Sequence, residues 1–110
     1  MPNIDLTALA KTALDQGIAA AKGHAKDLET YLHARVHLMA DGAERIAADR
    51  LSGAIDDDDV KFAFEEIRAS EKTALLTVQV TLKAAAQDAI NAALGVVAAG
   101  VNSAVGLPIL

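Results

Sequence analysis

The chain contains no cysteine and no tryptophan, only two prolines, and 3% aromatic residues, namely Tyr31, Phe62 and Phe64. Without thiols there is neither a disulfide framework nor a thiolate metal site, and a cysteine-free chain is viable in either redox compartment. A sheet core built on aromatic and β-branched side chains has little material here. Hydrophobic residues still reach 53%, much of it alanine, which suits helices packed closely on one another. Positive charge is also scarce: the net charge is -5, and the lysines and arginines are scattered. No basic stripe can neutralise a run of phosphates and few rings can stack on bases, so nucleic-acid binding is not expected.

The most informative absence is local. From Ala89 to Leu110 no side chain is charged, and the stretch is built of Ala, Gly and Val with Asn and Ser scattered through it. Something must cover it. It is long enough to cross a bilayer, which takes roughly 20 residues, yet it holds three glycines, two asparagines, a serine and a proline against three leucines. A membrane-anchored helix over residues 89–110 is therefore the alternative, and burial against protein the leading expectation. At the other end, Met1-Pro2-Asn3-Ile4-Asp5 lacks a basic segment followed by an apolar one, so it does not read as a secretory signal, and synthesis in the cytoplasm is expected.

What is present is helical periodicity. Asp5 can cap a helix, after which Leu14, Ile18, Ala21, Ala25, Leu28, Leu32, Val36, Met39, Ala43 and Ile46 recur in steps of three and four. The doubled step of four at Leu28, Leu32 and Val36 is a stutter in a coiled-coil-like seam. Gly17, Gly23 and Gly42 weaken this helix by roughly 1 kcal/mol each relative to Ala and are its candidate break points. The seam ends in a small-residue turn at 52–56. Asp56 then reads as an N-cap, with Asp57, Asp58 and Asp59 in the first turn, where exposed N–H groups favour negative charge, and with Ile55 stapled onto Val60.

From Val60 a second helix is expected to run to about Ala104. Residues 76–82 alternate like a strand but lack a pairing partner, so they are read as helix. Gly106 can take the left-handed C-terminal conformation, and Pro108 stops the helix. The whole chain, 1–110, reads as one all-α domain: a long antiparallel hairpin (helix 5–51, turn 52–56, helix 57–104), or the same helices broken into a three- or four-helix bundle. Intact, each helix would span roughly 70 Å. Phe62 lies well round the helix from Phe64, which leaves apolar surface that a single pair of helices cannot hide. Folding back into a four-helix bundle, or association with other chains, is the expected remedy.

The chemistry-bearing motifs are sparse. Glu29, His33, His37 and Asp41 form a ladder at intervals of four, and His33 with His37 could share a divalent ion, a second alternative. A structural zinc site needs four protein ligands, however, and the ladder also reads as a solvated flank. The Glu-x-x-His pairs of di-iron bundles are missing, as are Gly-x-Ser-x-Gly and cysteine nucleophiles, so neither enzyme activity nor a cofactor is expected. Two charged belts, Glu44, Arg45, Asp49 and Arg50 before the turn and Glu65, Glu66, Arg68, Glu71 and Lys72 after it, read as solvated faces with cross-helix pairs of about 0–1 kcal/mol each.

In the tail, Gly95, Ala99 and Ser103 repeat at intervals of four, resembling small-xxx-small packing. Asn91 and Asn102 are amides on an apolar helix, and such amides need partners. With Leu94 and the apolar hook Leu107, Ile109 and Leu110, they form the expected partner interface, the hook docking onto its own chain, a sister subunit or another protein. The secreted WXG100 helical hairpins are similar in size, but their Trp-x-Gly turn is absent, since this turn reads Leu51-Ser52-Gly53. In the texture of Asp88-Ala89-Ile90-Asn91-Ala92-Ala93-Leu94-Gly95 and the Gly106-Leu107-Pro108-Ile109-Leu110 end, the last 30 or so residues resemble small all-helical virion proteins of tailed bacteriophages and gene-transfer particles. That resemblance implies a structural, non-enzymatic role inside a symmetric particle. The partners expected are further copies of the chain and other structural proteins.

Overall fold

The computed structural model describes residues 5–110; the reading of Met1 to Ile4 as lacking a secretory signal lies outside them. Among the described residues the chain is all-α, with four helices and no strand: α1 (Leu6–Ala21), α2 (Ala25–Ser52), α3 (Asp57–Ala74) and α4 (Lys83–Val105). The local signals at the helix ends do what their chemistry dictates. Asp5 accepts from the Ala8 amide at 3.1 Å. Asp56 accepts from the Asp59 amide at 2.9 Å while the Asp59 carboxylate accepts from the Asp56 amide at 3.1 Å, a reciprocal capping box. Gly53 and Gly106 close α2 and α4 with φ of 83° and 75°, the left-handed conformation that glycine enters without a Cβ penalty.

Both long helices are broken, which corrects the expectation of continuous helices over 5–51 and 57–104. The first break is a single 3₁₀ turn at Lys22–His24. The positive φ falls on Lys22, at 53°, one residue before the glycine that would have tolerated it; such a residue costs of order 1 kcal/mol or more. Gly17 and Gly42, the other candidate break points, lie inside uninterrupted helices.

The second break corrects the helical reading of residues 76–82. Helix α3 stops at Ala74, two 3₁₀ turns follow at Leu75–Thr77 and Val80–Leu82, and between them Val78 and Gln79 are extended, with ψ of 141° and 142°. Four β-branched residues, Thr77, Val78, Val80 and Thr81, lose side-chain freedom in a helix. The Thr77 hydroxyl also donates to the Ala74 carbonyl at 2.7 Å, fixing the exit turn. The alternation was thus a true departure from helix, but into a corner instead of a strand. That corner turns α4 back onto α1 and α2, and the molecule measures 43 × 24 × 19 Å instead of the roughly 70 Å of an unbroken hairpin.

Helices α1, α2 and α4 pack together. Their core joins Ala10 and Ala13 of α1 to Leu28, Leu32, Val36 and Met39 of α2 and to Ala89, Ile90, Ala93, Val97 and Val101 of α4. Helix α3 leans mainly on α2 and contributes Val60 and Phe64. The charge-free stretch of α4 therefore packs one face into its own fold, and small residues are what allow this. A Cβ on Gly17 would stand 3.2 Å from the Ala89 carbonyl oxygen, so α1 and α4 meet nearly backbone to backbone.

Candidate interaction surfaces

Helix α4 has two faces. Ala86, Ala89, Ile90, Ala93, Leu94, Val97, Val101 and Ala104 are buried within the chain, whereas Asn91, Gly95, Ala99 and Ser103 are exposed in a row one turn apart. Nothing lies within 4 Å of where a Gly95 Cβ would be. Of the residues expected at a partner interface, these four stand together on open surface, while Leu94 is turned inward. Asn91 also borders a cleft of about 390 Å³ between α3 and α4, with Gln87, Arg68 and Lys72 on its walls.

The hook docks on its own chain. Asn102 receives the Leu110 amide on Oδ1 at 2.9 Å and donates Nδ2 to the Leu110 carbonyl at 3.2 Å. One side-chain amide thus serves both backbone groups of one residue, as a paired strand would. Ile109 and Leu110 pack against the core, while Leu107 stays 45% exposed. The amide on the apolar helix has found its partner in the tail.

A second surface lies between α2 and α3, where a groove of about 720 Å³ opens. Met39 and Ile46 of α2 and Ala63 and Ile67 of α3 form its apolar floor, with Leu38 on one wall and Phe62 on the other. Leu38 is 55% exposed and Phe62 68%, large apolar groups in water beside an apolar floor. The rim is charged. Arg45 and Asp49 stand on the α2 side, Asp59 and Glu66 on the α3 side. Arg45 and Glu66 are exposed, and no salt bridge among the described residues engages either.

At the far end of this groove lies a group the sequence did not disclose. Glu71, read as part of a solvated belt, is buried at 2% exposure. It holds Arg35 in a two-pronged pair, Nε to Oε1 at 2.8 Å and Nη2 to Oε2 at 2.7 Å. The hydrogen bonding of Arg35 to the Glu71 carboxylate is the main reason the Arg35 guanidinium pKa is raised, against the opposing effect of burial. Beside them the Tyr31 hydroxyl is buried with no hydrogen-bond partner among the described residues. Burial first, and the Glu71 charge second, push the Tyr31 phenol above its ordinary value, with Arg35 opposing. Next to the turn, Arg50 of the first belt pairs with Asp57 in the first turn of α3 at 2.7 Å, and among the described residues no ion pair joins the two belts to each other.

The histidine ladder runs along exposed α2. His33 and His37 border a shallow cleft of about 280 Å³ against α1, beside Lys11 and Leu14. Among the described residues no three His, Asp or Glu side chains converge as a metal site would require. No protein-family model, curated protein or solved structure matches the chain.

Proposed function

We propose that this chain is a non-enzymatic structural protein that acts by association, packing through its Ala-rich C-terminal helix and apolar tail into a homo-oligomer or a larger particle. One observation carries the reading: with the inner face of α4 covered by its own chain, a charge-free row of Asn91, Gly95, Ala99 and Ser103 still faces outward. Small residues in such a row let another helix approach to backbone distance, and Asn91 supplies an amide that can fix register. Leu107, exposed beside it on the tail that Asn102 holds in place, extends the surface. A virion component of the kind the C-terminal texture resembles is the setting this reading favours.

The test is a charge placed in the row. Ala99 is exposed, so Ala99→Arg leaves the fold intact by circular dichroism and lowers the oligomer mass measured by light scattering toward the 11.4 kDa of a single chain. An oligomer of unchanged mass would remove α4 from the interface. A second reading, membrane association, rests on Val80–Val105, which by length and composition is apolar enough to cross a bilayer. Flotation of the full chain with liposomes, compared with a version ending at Asp88, separates the two.

A further inference from the structure

We propose that the segment between Phe64 and Ala86, the second half of α3 with the corner that follows it, is a flap that opens locally from the body formed by α1, α2 and α4, and that the Arg35–Glu71 pair is its clasp. The inference is independent of the association reading. Phe64 and Ala86, at the two ends of the segment, are fully buried. Among the described residues between them, Glu71 alone is buried. The apolar side chains Ile67, Leu75, Val78 and Leu82 are half-buried, and Leu76 and Val80 stand in water. A stretch whose one buried group is a carboxylate gains little from the hydrophobic effect by staying closed.

Its surroundings point the same way. The second half of α3 has an open cleft on each side, about 390 Å³ toward α4 and about 720 Å³ toward α2. Its hold on α2 is chiefly Ile67, which reaches over Gly42, and the clasp. Beyond Ala74 the helix is already interrupted, with Val78 and Gln79 extended between two 3₁₀ turns, so opening there breaks few helical hydrogen bonds. An apolar contact drawn into water loses its whole transfer free energy. An ion pair drawn out of the interior regains the hydration of both charges, which offsets the lost attraction. Opening also gives the Tyr31 hydroxyl, unpartnered among the described residues, access to water. It uncovers Ile90 and Leu94 of α4, buried side chains that border the α3–α4 cleft. The clasp thus sets how often this apolar surface meets solvent.

Hydrogen exchange of the full chain, read by mass spectrometry and extended into sub-denaturing urea, tests the flap. Amides of 66–75 exchange roughly a hundredfold or more faster than those of 89–101, and their rates change little with urea because a local opening exposes little surface. Val97→Ala, in the core of α4, accelerates 89–101 by about tenfold and leaves 66–75 unchanged, since that core stays intact when the flap opens. Arg35→Met leaves the Glu71 carboxylate buried without its cation and accelerates 66–75 by about tenfold or more. Glu71→Gln, which keeps the side-chain size, accelerates the same amides less. The double variant Arg35→Met/Glu71→Met returns them to the wild-type rate or below, because no charge is left to draw the segment into water. One common rate and urea dependence for 66–75 and 89–101 in the wild type overturns the flap, as does a Val97→Ala chain in which both accelerate alike. Unchanged exchange of 66–75 in both Arg35→Met and Glu71→Gln overturns the clasp.

Discussion

Two of the helix seams of this molecule, α1–α4 and α2–α3, solve the same problem in opposite ways. Between α1 and α4 the buried faces are mostly small, Ala10, Ala13, Gly17 and Ala21 on α1 and Ala86, Ala89 and Ala93 on α4, with Leu9 reaching over Gly100, and at Gly17 the backbones come close enough that nothing polar has to be buried between them. Between α2 and α3 the side chains are larger. Ile67 reaches over Gly42, where a Cβ would meet its Cδ1 at 2.8 Å, the helices leave a groove open to water, and a buried arginine–glutamate pair ties them across 36 residues of sequence. Small residues make a seam that depends on volume alone. Bulky ones make a seam that depends on a charge pair and still leaves apolar surface for something else to use.

The comparison breaks most severely where the buried pair is cut. In Arg35→Met the Glu71 carboxylate, with a side chain 3% exposed, is left without its cation, and removing one partner of a buried pair costs about 3–5 kcal/mol. Glu71→Met is milder, because the Arg35 side chain is 19% exposed and its guanidinium can turn to water. The double variant Arg35→Met/Glu71→Met recovers most of the loss, since no charge remains buried. Denaturant melts of the four proteins measure the coupling. Additive losses would show that the pair contributes nothing beyond its separate side chains.

The volume-dependent seam responds to a different insult. Gly17→Val places a branched side chain where even a Cβ stands 3.2 Å from the Ala89 carbonyl oxygen. The obstacle is backbone and cannot rotate away, so α1 must lift off α4 at a loss of about 1–3 kcal/mol, as for overpacked cores. Gly42→Ala meets only the end of the flexible Ile67 side chain, and the gain in helix propensity, about 1 kcal/mol, offsets the repacking. Comparable melting temperatures for Gly17→Val and Gly42→Ala would mean that the α1–α4 contact is looser than its geometry indicates.

These contrasts also mark where the sequence was legible. The N-caps at Asp5 and Asp56, the turn at 52–56 and the stop at Gly106 were readable because each depends on residues within one turn of itself. The all-α class followed from alanine content and periodicity, and Phe62 was already out of line with the Phe64 stripe, the one sequence signal of the groove. The helix break at Lys22 was displaced by one residue from its glycine. The corner at 75–82 was read as helix because no pairing strand was in sight, and with that corner missed, the return of α4 onto α1 was missed too. Glu71 looked solvated for the same kind of reason: its partner Arg35 comes opposite only after α2 and α3 are paired in register, a tertiary fact that neighbours in sequence do not encode.

Tyr31 offers the smallest and sharpest probe of the charged seam. Its hydroxyl is buried without a partner among the described residues, so Tyr31→Phe removes an unsatisfied polar group and stabilises by up to about 1 kcal/mol. The folded chain holds the Tyr31 proton above the ordinary pKa of 10.0, whereas the unfolded tyrosine ionises near that value. Its contribution to stability is therefore complete below pH 10.0 and declines as pH rises through the raised folded value. Melting temperature followed from pH 8 to beyond 11 should fall more steeply for the wild type than for Tyr31→Phe, once the lysine contribution common to both is subtracted. Parallel curves would mean that the phenol ionises as freely in the folded protein as in the unfolded one, and that the Tyr31 corner beside Arg35 and Glu71 is open to water.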